Sequence, residues 1–163
     1  MTIKVLDESL LNLYGYDPNT GVIFRNKRMG NHQADSPCNA MTTNGKYYKT
    51  TYQGNQVLLH RLAWFLHYKE QPPDVIDHID GDGLNNRINN LRKATTSTNQ
   101  MNIDATSKSS TGLKGIMPIR NGTLFRAEVC VHGKRYQKHS KDVDKLQAWV
   151  TTKRQELHGE YAR

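Results

Sequence analysis

Long hydrophobic runs are missing from this sequence. No stretch of about 18 apolar residues occurs, so no membrane span is expected. The opening segment MTIKVLDESL lacks a basic stretch followed by an apolar run, so no secretory signal is expected there. Cysteine is scarce: Cys38 and Cys130 are the 2 among 163 residues. Two cysteines cannot build a disulfide framework or a four-cysteine zinc site, so no structural zinc is expected. They read as reduced residues of a cytoplasmic protein. Apolar residues make up 36% of the chain, which points to a modest core in one domain or two small ones. There is no internal repeat.

Acidic residues are also in deficit. The chain holds 23 Lys and Arg against 15 Asp and Glu, a net charge of +8, and its pI is near 9.5. The excess is uneven. Residues 1–104 hold 11 basic and 10 acidic side chains, a net +1. Residues 105–163 hold 12 and 5, a net +7. This asymmetry suggests a basic module for a polyanion beside a nearly neutral one.

What is present divides accordingly. Residues 14–59 read as short strands joined by turns. YDPNTG (16–21) places Asp, Pro, Asn and Gly in turn order, and VIFRNK (22–27) follows as a strand. Asn44-Gly45 and Gly54-Asn55 separate alternating segments and predict hairpins. The period then changes. Leu59 and, within 60–71, Leu62, Ala63, Phe65 and Leu66 share a helical face, and Pro72-Pro73 ends that helix. Residues 105–114 are small, polar and basic, and read as a linker. Beyond it, 115–119, 124–131 and 134–140 read as strands. The segment 142–159 reads as a helix from an Asp cap to a Gly, with Leu146, Trp149, Val150 and Leu157 toward the sheet.

Residues 75–100, VIDHIDGDGLNNRINNLRKATTSTNQ, carry five Asn, three Asp and one His. Val75, Ile76 and Ile79 frame a strand that contains Asp77 and His78. The segment 90–94 can return beside it, and Thr95 or Thr96 can cap a short helix carrying Asn99. This order would gather Asp77, His78, Asn90 and Asn99. Carboxylate and amide oxygens are hard ligands that suit Mg²⁺ or Mn²⁺ and suit Zn²⁺ badly. A neutral imidazole beside such a metal can take a proton from water.

LHRLAWFLH, IDHIDGDGLNNRINNLRKAT and STNQMN resemble the HNH endonuclease family, in the form found in phages and mobile introns. YDPNTGVIF resembles the segment that precedes that motif. The resemblance implies a ββα-metal (His-Me finger) nuclease motif. It implies Asp77 and Asn99 as metal ligands, His78 as general base and Asn90 as the residue that orients or polarises it. Many family members hold zinc on four cysteines, and the form resembled here does without. Asn85, Asn86, Asn89, Asp80 and Asp82 read as turn formers. His60-Arg61 reads as a strand-to-helix junction, with Arg61 a candidate for a phosphate contact. His32, His67 and His132 read as surface residues.

Residues 111–163 resemble an AP2-type DNA-binding domain. The shared features are the Gly before the first strand, FRAEV, the GKR turn and the terminal LHGEYAR. Alternation in 124–131 puts Phe125, Ala127, Val129 and Val131 on one face and Leu124, Arg126, Glu128 and Cys130 on the other. The second face would carry Arg126 to DNA, with Arg120, Lys134 and Arg135 as further contacts. Pro118 and Lys138-His139 depart from the family pattern.

The expected fold class is therefore α+β. N-terminal β-hairpins and a helix lead into the nuclease motif (1–104), followed by the linker and a three-stranded antiparallel sheet on one helix (115–163). The expected function is site-specific, homing-endonuclease-like hydrolysis of double-stranded DNA by a monomer that nicks. Its setting would be the cytoplasm of a bacterial or phage-infected cell. The resemblance implies 5′-phosphate and 3′-hydroxyl products. A DNA-binding regulator with an inactive nuclease motif is the alternative. An RNA-binding protein using Tyr47, Tyr48 and Tyr52 is a third reading.

Overall fold

The computed structural model describes residues 5–101, 111–131 and 133–159. The chain divides into two compact units, Met1–Thr95 and Thr96–Arg163. Residues 105–110 of the expected linker, His132, and residues 160–163 of the terminal LHGEYAR segment lie outside the described residues. The architecture is mixed, with small antiparallel sheets and few helices, compatible with the α+β class. Among the described residues, no helix is long and apolar enough to cross a membrane.

The first unit opens with a helical turn α1 (Leu10–Leu13) and a two-stranded sheet of β1 (Tyr14–Tyr16) and β2 (Ile23–Arg25). The strand expected over 22–27 is thus shorter. Next come β3 (Ala40–Met41), β4 (Tyr48–Tyr52) and β5 (Asn55–Leu58), paired in that order. The β4–β5 turn centres on Gln53 and Gly54, with φ of 47° and 75°. Two successive left-handed residues make the hairpin turn whose twist matches its strands. Asn55, expected in the turn, instead pairs with Tyr52.

Helix α2 (Leu59–Tyr68) follows β5 without a break. It ends earlier than the two prolines require. Lys69 adopts a left-handed conformation (φ 57°) and its N–H bonds to the Phe65 carbonyl at 2.9 Å, which closes the last turn. Leu59, Leu62, Ala63, Trp64, Phe65 and Leu66 of this helix are buried with Leu10, Tyr14, Ile23, Val57, Ile76 and Leu91. The helix is thus the centre of the first core. A second hairpin, β6 (Val75–His78) with β7 (Leu91–Ala94), contributes Ile76 and Leu91 to the same core. Helix α3 (Thr96–Met101) comes next along the chain and belongs to the second unit.

The second unit also contains a three-stranded antiparallel sheet of β8 (Ile116–Ile119), β9 (Leu124–Val131) and β10 (Lys134–Ser140), with β9 in the middle. Helix α4 (Val143–His158) starts at Asp142, whose side chain accepts from the Lys145 N–H at 3.1 Å. Ile116, Ala127, Val129, Leu146 and Val150 form its core, flanked by Leu113, Phe125, Trp149 and Leu157. The period-2 face of β9 and the helical face of α4 meet here as their sequences require. Gly115 marks a close approach: it has φ 78°, and a Cβ there would lie 2.7 Å from the Glu128 carbonyl oxygen.

Candidate active site

Adjacent strand residues face opposite ways, so Asp77 and His78 enter two different environments. Asp77 lies directly opposite Arg92 in the β6–β7 register, and His78 opposite Leu91. Both are deeply buried, at 3% and 6% exposure. Asp77 Oδ2 accepts from Arg92 Nε at 2.8 Å and lies 2.7 Å from Arg92 Nη2. This charge-assisted contact offsets the cost of burying the carboxylate and fixes its orientation.

His78 lies among rings. His60 of α2 meets it edge-on, with centroids 5.3 Å apart and planes at 90°. Tyr47, from the β3–β4 turn, lies 5.2 Å from His60 and 6.0 Å from His78. Burial holds His78 below the ordinary imidazole range, while contact with Asn86 and the charges of Asp80, Asp77 and Asp82 oppose that shift. Burial, with smaller effects from His78 and Arg61, pushes His60 down to about 3. His60 Nδ1 is buried without a hydrogen-bond partner. Two neutral imidazoles therefore sit side by side at neutral pH.

The loop between β6 and β7 is tied by its own side chains. Asn90 Oδ1 accepts from the Asp80 N–H at 3.0 Å, while its Nδ2 donates to Asp80 Oδ1 at 2.9 Å and to the Asn85 carbonyl at 2.8 Å. Asp80 and Asp82 also accept the N–H groups two residues ahead, at 2.9 Å each, so they form the turns expected of them. Asn90 thus acts on the loop rather than on the imidazole. The side chain at the imidazole is Asn86, whose Oδ1 lies 3.4 Å from His78 Nε2. Asn86 is 2% exposed, so it is a buried contact and not the turn former its sequence neighbourhood suggests.

The remaining expected site residues fall elsewhere. Arg61 donates to the Pro73 carbonyl at 2.8 Å and lies 3.5 Å from the Pro72 and Asp74 carbonyls. These are the contacts of a clamp on the α2–β6 connection, a task the sequence did not show. Asn99 lies on α3 at a partly exposed position, in the second unit. Arg120 is exposed on a short left-handed turn between β8 and β9. Arg126 pairs with Met117 and His139, and Arg135 pairs with Cys130, so both lie on the sheet face away from the core. Arg126 Nη2 lies 3.1 Å from Met117 Sδ. Lys134 departs from this group. It pairs with Val131, on the helix-facing side, and its Nζ lies 5.6 Å above the Tyr136 ring, which Lys153 of α4 also approaches at 5.5 Å.

The donor chemistry at Asp77 suits a hard divalent cation, since an oriented carboxylate is a hard oxygen ligand. Among the described residues, no group of three or more His, Cys, Asp or Glu side chains gathers as a metal site. A cation at Asp77 would therefore draw on amide, water or phosphate oxygens for the rest of its shell. Arg92, Asn86, His60 and Tyr47 were missed by sequence reasoning. Arg92 had a signal: pairing 75–79 with 90–94 places it across from Asp77. The other three approach His78 only through folding.

The chain carries an HNH endonuclease domain within its first hundred or so residues. The family pattern described as HNH endonuclease matches residues 57–101, from the end of β5 through α2, the β6–β7 hairpin and α3. Protein 3.8 of Escherichia phage T7 is similar to it, with 38% identity over 88 residues, which cover 54% of this chain and 73% of that protein. No solved structure matches the chain. An HNH nuclease domain implies a nucleic-acid substrate.

Proposed function

We propose that this protein is a site-specific, homing-endonuclease-like DNA endonuclease that hydrolyses phosphodiester bonds and nicks duplex DNA as a monomer. The observation that carries this reading is the buried Asp77–His78 step, with the carboxylate fixed by Arg92 and the imidazole held neutral. A neutral imidazole can accept a proton, and His78 would take it from the attacking water as the new P–O bond forms. The bond to the 3′ oxygen breaks, leaving 5′-phosphate and 3′-hydroxyl ends. Asp77 and Asn99 would hold a single Mg²⁺ or Mn²⁺, which when bound stabilises charge on the phosphorus centre and the departing oxygen. Asn90 serves the site by fixing the loop that follows His78.

The second unit would supply binding. Its segment 105–163 carries the net +7, and the exposed sheet face presents Arg126 and Arg135, with Arg120 at its edge. A sheet lying in the major groove, as the AP2-type resemblance implies, would place these guanidinium groups against bases and phosphates. Supercoiled plasmid incubated with and without Mg²⁺ tests the whole reading. Nicking that needs the cation, stops in EDTA and leaves ligatable 5′-phosphate ends is the expected result. Undiminished cleavage in excess chelator would remove the metal from the account, and no cleavage under any cation would leave a binding protein.

A further inference from the structure

The β1–β2 turn is folded against the segment that carries Asn86. Tyr16 Oη donates to the Asn86 carbonyl at 2.8 Å. Burial pushes the Tyr16 phenol well up, so it remains a donor at any ordinary pH. The Pro18 carbonyl accepts from the Ile88 N–H at 3.1 Å, and the Asn19 carbonyl accepts from Arg87 Nε at 2.8 Å. Gly21 closes the approach with φ 78°. A Cβ there would lie 2.6 Å from the Arg87 nitrogen and 2.7 Å from the Asn86 carbonyl carbon. Contacts on 86, 87 and 88 thus come from one turn, roughly 70 residues earlier in the chain. Without the turn, a short run between two loops would have to hold a buried Asn side chain by itself.

What that side chain meets is His78 Nε2, at 3.4 Å. An amide oxygen can only accept, so the contact is favourable when Nε2 carries the proton. The lone pair is then on Nδ1. The partner of one ring nitrogen decides which nitrogen is left to do chemistry. We propose that Asn86 is a positioning residue for His78. Its oxygen holds the proton on Nε2 and leaves Nδ1 to take the proton from water, and the 16–21 turn is the brace that keeps Asn86 in place. This rests on the reading of His78 as general base. It assigns a task to the N-terminal hairpin and to a residue that the HNH resemblance leaves without one.

The test uses the full chain, Mg²⁺ and supercoiled plasmid, with ¹⁵N-labelled histidine to follow the His78 ring nitrogens. Asn86→Leu keeps the approximate volume and removes the acceptor. It is expected to lower kcat about 10- to 100-fold with KM for DNA unchanged, as loss of an outer-shell partner does. The ¹⁵N signals of His78 should move from a proton on Nε2 to a mixture of tautomers. Asn86→Asp restores an acceptor oxygen and should recover kcat and the Nε2–H signal in large part. Tyr16→Phe removes one hydroxyl from the brace and should slow kcat by a smaller factor. Combined with Asn86→Leu it should add nothing, because both act through one contact. If Asn86→Leu does not fold, Tyr16→Phe decides by the same two readouts. Parental kcat with the Nε2–H signal intact in either folded variant overturns the proposal. His78→Ala runs alongside: parental cleavage by that variant refutes the general-base reading itself, whatever Asn86 does.

Discussion

The two units place their polar groups in opposite ways. In the first, Arg25, Thr50, His60, Asp77, His78, Asn86 and Asn90 are all buried, although the unit is close to neutral. In the second, no polar or charged side chain is buried among the described residues, and the strongly basic surface surrounds a core of five buried side chains. Burial of a polar group is costly unless its partners are supplied. The first unit supplies partners for several of them: Arg92 for Asp77, the 80–85 loop for Asn90, and Ser36 and Pro37 for Arg25, while His60 meets the burial by staying neutral. Such an interior fixes proton positions, which is what hydrolysis needs. A solvated basic face does not fix anything, but it gathers phosphates over a range set by salt. On the proposed function, chemistry and affinity fall to separate stretches of chain.

The largest separation should come from His78→Ala. Loss of a general base lowers the cleavage rate by about 10²–10⁴-fold. DNA affinity should stay near the parental value, because the ring is buried and carries no charge. A gel-shift titration beside a single-turnover time course reads both. Next in size is Arg92→Ala, which leaves the Asp77 carboxylate buried without its cation. Breaking a buried pair this way costs about 3–5 kcal/mol, visible as a lower denaturation midpoint for the first unit. A midpoint unchanged from the parent would show that solvent or another group already compensates Asp77.

The third prediction concerns acid. Above its ordinary value of 6.5, His60 is neutral whether the chain is folded or not. Between 6.5 and about 3 the unfolded chain takes up a proton that the folded one refuses. Stability of the first unit should therefore fall as pH drops through that window, by an amount of order a few kcal/mol. His78, also held low, acts in the same direction. His60→Phe should flatten the slope, and urea midpoints from pH 7 to 4 measure it. An equally steep decline in the variant would assign the acid sensitivity to other groups. Smaller still is Arg126→Ala, expected to weaken binding by about 1–3 kcal/mol and relax preference at one base position. Lys134→Ala should do less, because Lys134 lies on the helix-facing side of the sheet. If it equals Arg126→Ala across a panel of duplexes, the assignment of faces is wrong.

Local rules carried the sequence reading a long way. Alternation in 124–131 placed Ala127 and Val129 inward, and they are buried with Leu146 and Val150. The period of 59–66 identified the buried face of α2. The Asp77-His78 step was legible because its spacing to Asn90 follows a known motif. Contacts that depend on chain segments far apart were not legible. Asn86 stands among five asparagines in 26 residues, and nothing local distinguishes it from Asn85 or Asn89. Its backbone is held by the 16–21 turn and its side chain meets His78, both distant in sequence or outside the local pattern. The Arg61 contacts were hidden for a related reason, since its guanidinium lies against three carbonyls of the 72–74 segment, more than ten residues on. Lys134 and Arg135 are neighbours in sequence, and the strand sends them to opposite faces.

One paired measurement tests the division most directly: cleavage rate at saturating protein, and DNA affinity over a salt series, for His78→Ala and for Arg126→Ala/Arg135→Ala. A crossover is expected. The first variant should bind as the parent does and fail to cut. The second should bind weakly, with a shallower salt slope, and cut at the parental rate once saturated. If both variants lose rate and affinity in proportion, the two units do not divide chemistry from binding, and the account is contradicted.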